Sequence, residues 1–307
     1  MIRKNILLVA VVIQLFFSNL VYAETQYKPF IMASSGAGDM AVILAQVKNK
    51  LGGAGFKIAG EYSPYPTATI LVITSDFMQQ HAAQSDFGSV GAAQRVAITK
   101  AGNEVQVSFT NPTYMANVYR MKTSLTDLTA RLKGLLGDMG EYGPDEGLTA
   151  EELREYHYKF LMPYFDDHLE LASYTDHATA LAKVEAALAG QNKGGVKKVY
   201  RIDIPGKQES VFGVHMTGPD NVDCSGDKYI MNKIDFKPMH STPHLPYEIV
   251  VKGNSVYSLM AEFRIAISFP DLSMMGSNSF ASIMCAPSAI KEALTYASGS
   301  KPAKDEY

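Results

Sequence analysis

Tryptophan is absent from the 307 residues, and cysteine occurs only twice. Large side chains come instead from 17 Tyr, 14 Phe and 15 Met. Neither sign of charge is in excess: the net charge is −3, so the electrostatic footprint of a nucleic-acid binder is missing. Catalytic signatures are scarce too. There is no Gly-x-Ser-x-Gly elbow, no His-Glu-x-x-His and no Cys-x-x-Cys. The Gly-rich turn Ser34-Ser35-Gly36-Ala37-Gly38-Asp39 lacks the Gly-Lys-Ser/Thr ending of a P-loop and reads as a plain loop and helix cap. Beyond the N-terminus no apolar run is long enough to span a bilayer.

The N-terminus itself is a secretory signal in form. Arg3 and Lys4 precede an apolar stretch, Ile6 to Phe17, broken only by Gln14. Val21-Tyr22-Ala23 then supplies the small residues of a cleavage site, which predicts a mature chain starting at Glu24. The alternative is an uncleaved anchor, for which the run is short. No Cys follows the signal, which argues against a lipoprotein. The expected address is the periplasm, with no stable membrane insertion after cleavage. Export places Cys224 and Cys285 in an oxidising compartment, where a disulfide between them is expected; two buried thiols are the alternative.

Two stretches echo one another. Gln94 to Met115 and Tyr247 to Met274 each read as strand, Lys, Gly-Asn turn, second strand, then Ser-Phe and Pro. The second copy is longer in its second strand region. Around them the same order recurs. Asp39 caps a helix over 40–51, and Asp176 caps one over 177–188. Strands at 56–62 and 199–204 follow, then buried strands at 69–74 and 210–216. Helices over 124–136 and 287–298 close the copies. The fold class this predicts is α+β, as two tandem α/β sandwich repeats with an antiparallel sheet and helices on one face, joined by a helical linker insert. The boundaries are 1–23 signal, 24–136 first repeat, 137–175 linker with helix, 176–299 second repeat and 300–307 disordered tail. In the linker, Thr149-Ala150-Glu151-Glu152 is a capping box that starts a helix to about Phe160.

The stretch Val105-Gln106-Val107-Ser108-Phe109-Thr110-Asn111-Pro112-Thr113-Tyr114-Met115 resembles a late motif of the bacterial domain-of-unknown-function 302 family. In the second half the carriers are His244-Leu245-Pro246 and Ile267-Ser268-Phe269-Pro270. The resemblance covers most of 36–136 and 176–297. It implies small α+β sandwiches and carries no activity and no catalytic residues. The second copy departs from the motif by its insertion and by lacking an Asn before Pro270.

What only one copy has is the natural place for added function. His240 and His244 stand four apart, with Pro243 keeping them on a loop near Asp227. His157, Asp167 and His168 lie on the linker insert. Imidazoles with carboxylates suit copper or zinc, while the bland reading is hydrogen-bonded surface or core histidines. Tyr156 and Tyr164 are candidates, with Asp227, for lining a ligand pocket between the repeats; simple helix packing is the alternative. The leading expectation is a non-enzymatic exported binding or accessory protein for a small molecule or an envelope protein. A metal-binding protein or metal-dependent enzyme is the second reading, and a structural component of an envelope assembly the third.

Overall fold

The computed structural model describes residues 24–219 and 223–302. The signal segment and the last five residues of the tail lie outside them.

The first half runs β1 (Gln26–Tyr27), β2 (Phe30–Gly36), α1 (Met40–Gly53), β3 (Lys57–Tyr65), β4 (Ala68–Thr74), α2 (Asp76–Ala83), β5 (Gln94–Ala101), β6 (Glu104–Thr110), α3 (Pro112–Val118) and α4 (Thr126–Leu136). A connection follows with β7 (Glu141–Tyr142), β8 (Leu148–Thr149) and α5 (Ala150–Arg154). The second half is β9 (His168–Ser173), α6 (His177–Ala189), β10 (Val196–Asp203), β11 (Glu209–Met216), α7 (Asp227–Ile234), β12 (Tyr247–Lys252), β13 (Ser255–Leu259), α8 (Ala261–Ala266) and α9 (Ala286–Ala297).

The class is α+β. One sheet has the order β3-β4-β5-β6-β2-β7 and the other β10-β11-β12-β13-β9, every pairing antiparallel. From the outer hairpin inward, the two sheets therefore use their strands in the same sequence. α1 and α4 pack on the first sheet, α6 and α9 on the second.

Local chemistry accounts for the elements. Asp39 accepts from the amides of Ala41 and Val42, and Asp176 from Thr179, so both long helices start where a carboxylate satisfies orphan donors. Both central hairpins turn on a Gly at positive φ, Gly102 at 61° and Gly253 at 56°. That matches the Gly-Asn signal for a tight turn. Every residue of β4 is buried, as its Ile-Leu-Val-Ile run requires. Cys224 and Cys285 form a disulfide with Cα atoms 5.9 Å apart, joining the approach to α7 to the start of α9.

Three expectations are corrected. The Thr149 capping box forms, but its helix ends at Arg154 rather than near Phe160. Beyond it Tyr156 and Tyr158 turn to donate to the carbonyls of Ala266 and Leu272, and those contacts replace helical ones. The linker is not wholly unrepeated, because its last strand, β9, pairs with β13 as the edge of the second sheet. The Ile267-Ser268-Phe269-Pro270 stretch does not continue a strand. β13 stops at Leu259, and α8 intervenes. A short apolar run cannot by itself be divided between strand and helix. In the first half the matching motif is likewise split: Asn111 caps α3 and Pro112 fills its first turn.

Candidate functional site

The two halves meet through buried faces of their sheets that set polar and charged side chains among apolar ones. The turn 88–91, just before β5, packs on β11 and β12; the turn 242–244, just before β12, packs on β4, β5 and β6. Each half thus lays the same part of its chain on the other's sheet. Hydrogen bonds sew the seam. Ser89 N donates to Glu209 Oε1 at 3.0 Å, Thr99 Oγ1 to Thr242 Oγ1 at 2.9 Å, and Gln106 Nε2 to Pro238 O at 2.8 Å. At the edge, β3 and β10 approach so closely that a Cβ on Gly60 would lie 2.6 Å from Val199 O. Here the absence of a side chain is what permits contact.

At the centre of the seam is a buried ionic knot. Arg95 of β5 pairs with Glu248 of β12, and Arg264 Nε of α8 donates to the other oxygen of Glu248 at 3.1 Å. Arg264 Nη2 also donates to His244 O at 2.6 Å and Pro246 O at 3.1 Å. His244 is fully buried against this knot, with Nδ1 2.9 Å from Ser268 Oγ and Nε2 3.3 Å from the Tyr247 hydroxyl. Burial, then the positive charges of Arg264 and Arg95, hold its pKa well below the ordinary value. Both ring nitrogens are engaged inside the protein, so His244 is a core histidine and not an accessible ligand.

His240 is different. It sits half-buried at the rim, its Nδ1 3.2 Å from Asp235 Oδ2. Asp235 Oδ1 in turn accepts from Ser241 N at 2.8 Å, so the carboxylate is fixed. The His240 carbonyl accepts from Tyr142 and its amide donates to Gln106, which holds the backbone from two sides. The hydrogen bond that His240 donates to Asp235 raises its pKa against an opposing desolvation. This residue faces a cleft of about 350 Å3 between the halves. Tyr65, Thr67, Thr99 and Lys100 come from the first half; Lys228, Asn232, Asp235 and His240 come from the second. Two ammonium groups and a readily protonated imidazole against one carboxylate make the cleft electropositive.

α7 forms the second-half wall, and its other end carries a matching pair. His215 Nδ1 lies 2.7 Å from Asp227 Oδ2, and the Tyr62 hydroxyl lies 3.5 Å from the same oxygen. Asp227 is fully buried; desolvation pushes its pKa up and the His215 bond opposes that. Burial and the Asp227 charge push the Tyr62 phenol up. The helix is thus anchored at both ends by a His–Asp pair.

The other expected residues fall elsewhere. His157 stacks on Tyr164 with ring centroids 4.2 Å apart, and its Nε2 is 2.9 Å from Met162 O. Asp167 accepts from Tyr164 N at 2.8 Å. These residues line a surface groove with Met260 and Glu262, not with His240. Tyr156 is buried, its hydroxyl donating to Ala266 O. His168 begins β9 and stacks on Phe87 at 3.6 Å; burial and Lys252 lower its pKa. His157, Tyr164, Asp167 and His168 therefore do not converge with His240 on one site; the insert reaches the His240 loop through Tyr142 and Gly143 instead. Among the described residues no group of three His, Cys, Asp or Glu is placed to hold a metal ion.

His215, Asp235, Tyr62, Tyr65, Lys100 and Lys228 were not legible as site residues. Only Asp235, five residues before His240, carried a local signal, through a turn short enough for side chains to meet. The rest are joined by tertiary contact alone. No family model, curated protein or solved structure matches the chain.

Proposed function

We propose that the chain is an exported, non-enzymatic binding protein that holds a small molecule bearing a carboxylate or phosphate group in the cleft beside His240. The observation that carries this is the composition of the cleft: both halves contribute, and Lys100, Lys228 and His240 surround a space of small-molecule size. Thr67, Thr99 and Asn232 add neutral hydrogen-bonding groups that would orient the rest of the ligand. The shared strand order of the two sheets supports reading the halves as tandem copies similar to the domain-of-unknown-function 302 family. On that reading the cleft is where the copies diverge, since the connection that carries His240, between β11 and β12, is longer than its counterpart between β4 and β5.

The test is titration calorimetry with inorganic phosphate and with citrate, alongside native mass spectrometry of protein isolated from the periplasm. Binding weakened tenfold or more by Lys100→Gln combined with Lys228→Gln, and by His240→Gln, supports the reading. Preference for one titrant separates phosphate from carboxylate recognition. Binding left intact in both variants refutes it.

A further inference from the structure

The exposed apolar surface is unevenly distributed. Twelve large apolar side chains are exposed among the described residues, and eight of them fall on three loops, with Phe160, Leu161, Met275 and Met284 the most exposed. These loops are bonded to one another. Tyr158 donates to Leu272 O, and its ring lies 4.9 Å from that of Phe280. Lys237 bonds Asp271, and Asn278 donates to Lys233 O at the end of α7. They therefore form one region of the surface rather than scattered single residues, which are common on any protein.

The exposure is extreme at the tips: 87% for Phe160, 85% for Leu161, 76% for Met275 and 79% for Met284. The first tip is also braced. His157 stacks on Tyr164, Met162 O lies on the His157 ring nitrogen, and Tyr164 N is tied to Asp167. Leu161 stands at φ 67°, a conformation disfavoured for a residue with a Cβ. Aromatic stacking and hydrogen bonds thus hold Phe160 and Leu161 outward at a local cost. Among the described residues nothing covers them.

The charge pattern says what could. From Leu272 to Ile290 the chain has no charged residue. Lys159 and Lys233 flank the apolar tips; of the acids nearby, Asp166 pairs with Arg120, Asp167 accepts a backbone amide and Asp271 pairs with Lys237, while Glu262 lies in the groove beside Phe160 and Leu161. Protruding apolar tips, an uncharged loop and flanking lysines are what an interfacial membrane contact requires, because no charge is desolvated and the ammonium groups stay at headgroup level. A protein partner would instead need fixed polar groups to set its register, and these loop tips offer few.

We propose that these loops seat the protein on a phospholipid surface, with Phe160, Leu161 and the methionines entering the boundary between headgroups and acyl chains. This is peripheral contact and is independent of the His240 cleft. The experiment uses a chain beginning at Glu24, so that the N-terminal apolar segment takes no part. It is floated with vesicles of phosphatidylethanolamine and phosphatidylglycerol. The bound fraction is expected to fall at least tenfold in Phe160→Ser with Leu161→Ser, and severalfold in Met275→Ser with Met284→Ser, with unfolding midpoints unchanged. Because the chain has no Trp, Phe160→Trp is a single depth reporter: its emission should shift to the blue with vesicles and be quenched by brominated acyl chains. Solvent-like emission in the presence of vesicles overturns the proposal. So does flotation unaffected by the serine pairs, or self-association through these loops in sedimentation velocity without vesicle binding.

Discussion

Two cations and one anion share the centre of the seam, and that imbalance can be tested. The side chains of Arg95, Arg264 and Glu248 are 2%, 1% and 3% exposed, so none is relieved by solvent. Glu248→Gln leaves two guanidiniums facing one neutral amide. Removing one partner of a buried pair costs roughly 3–5 kcal/mol, because the remaining charge is stranded. Here two are stranded, so the upper part of that range is expected. Arg95→Met removes one cation of similar length and leaves Arg264 with Glu248 as a balanced pair. Exchanging a buried charge for an apolar side chain is often neutral or mildly favourable once the partner stays satisfied, so a change within about 1 kcal/mol is expected. Arg264→Met falls between, since it deprives the His244 and Pro246 carbonyls of a donor, at about 1–3 kcal/mol. Thermal unfolding followed by circular dichroism should rank the variants accordingly. At roughly 2–4 °C per kcal/mol, Glu248→Gln should lose about 10 °C or more. If Arg95→Met proves as damaging as Glu248→Gln, the seam is not governed by charge balance and the reasoning fails.

Three further outcomes are expected. Reducing the disulfide, or replacing Cys224 and Cys285 by Ser, opens a loop with a sequence separation of 61 and should cost about 4 kcal/mol in the chain-entropy picture; an unfolding midpoint indifferent to reductant would contradict it. His244 and His240 should give opposite pH dependence, because the depressed pKa of His244 makes its contribution present above its unfolded pKa and lost as pH falls below it, whereas the raised pKa of His240 makes its contribution present below its unfolded pKa and lost as pH rises through the folded one. Comparing stability from pH 5 to 8 in His244→Gln and His240→Gln should show the slope change in opposite senses, and a common sense would refute the assignment. Gly60→Val should destabilise the molecule by about 1–3 kcal/mol, since its Cβ meets the backbone of Val199; calorimetry showing no loss would mean the β3–β10 contact is looser than its geometry.

Much of the fold was legible because its signals are local. Asp39, Asp176 and Thr149 announce helix starts by chemistry that acts over three residues, and Gly102 and Gly253 announce hairpins by backbone freedom. The cysteine pair was legible from the expected export and from its number. β2 and β9 were missed because each leads its half and is paired by strands far along the chain: Phe30 with Thr110 and Tyr142, His168 with Leu259. His240 was singled out for its residue type, and its partner Asp235 was not. The metal expectation grouped His157, Asp167, His168, His240 and His244 by residue type and by the four-residue spacing of the last two, and tertiary structure disperses them.

The seam was hidden for a more specific reason. Along β6, Val105, Val107 and Phe109 alternate with Gln106, Ser108 and Thr110. Such alternation is the pattern of a strand with one face on the core and the other in water. In the folded chain both faces are buried. Arg95 and Thr99 of β5, and Glu248 of β12, belong to the same covered surface. Polar residues were needed there because the opposing layer presents polar groups among its apolar ones, Glu248 and Glu209 among them, and a wholly apolar face would have left those groups unsatisfied. Sequence periodicity therefore marks the face but cannot name its neighbour. Where a chain folds one half onto the other, a polar strand face is ambiguous between water and a second polar sheet. The cleft beside His240, lying at the rim of that contact, inherits the ambiguity: its residues look like ordinary surface until both halves are in place.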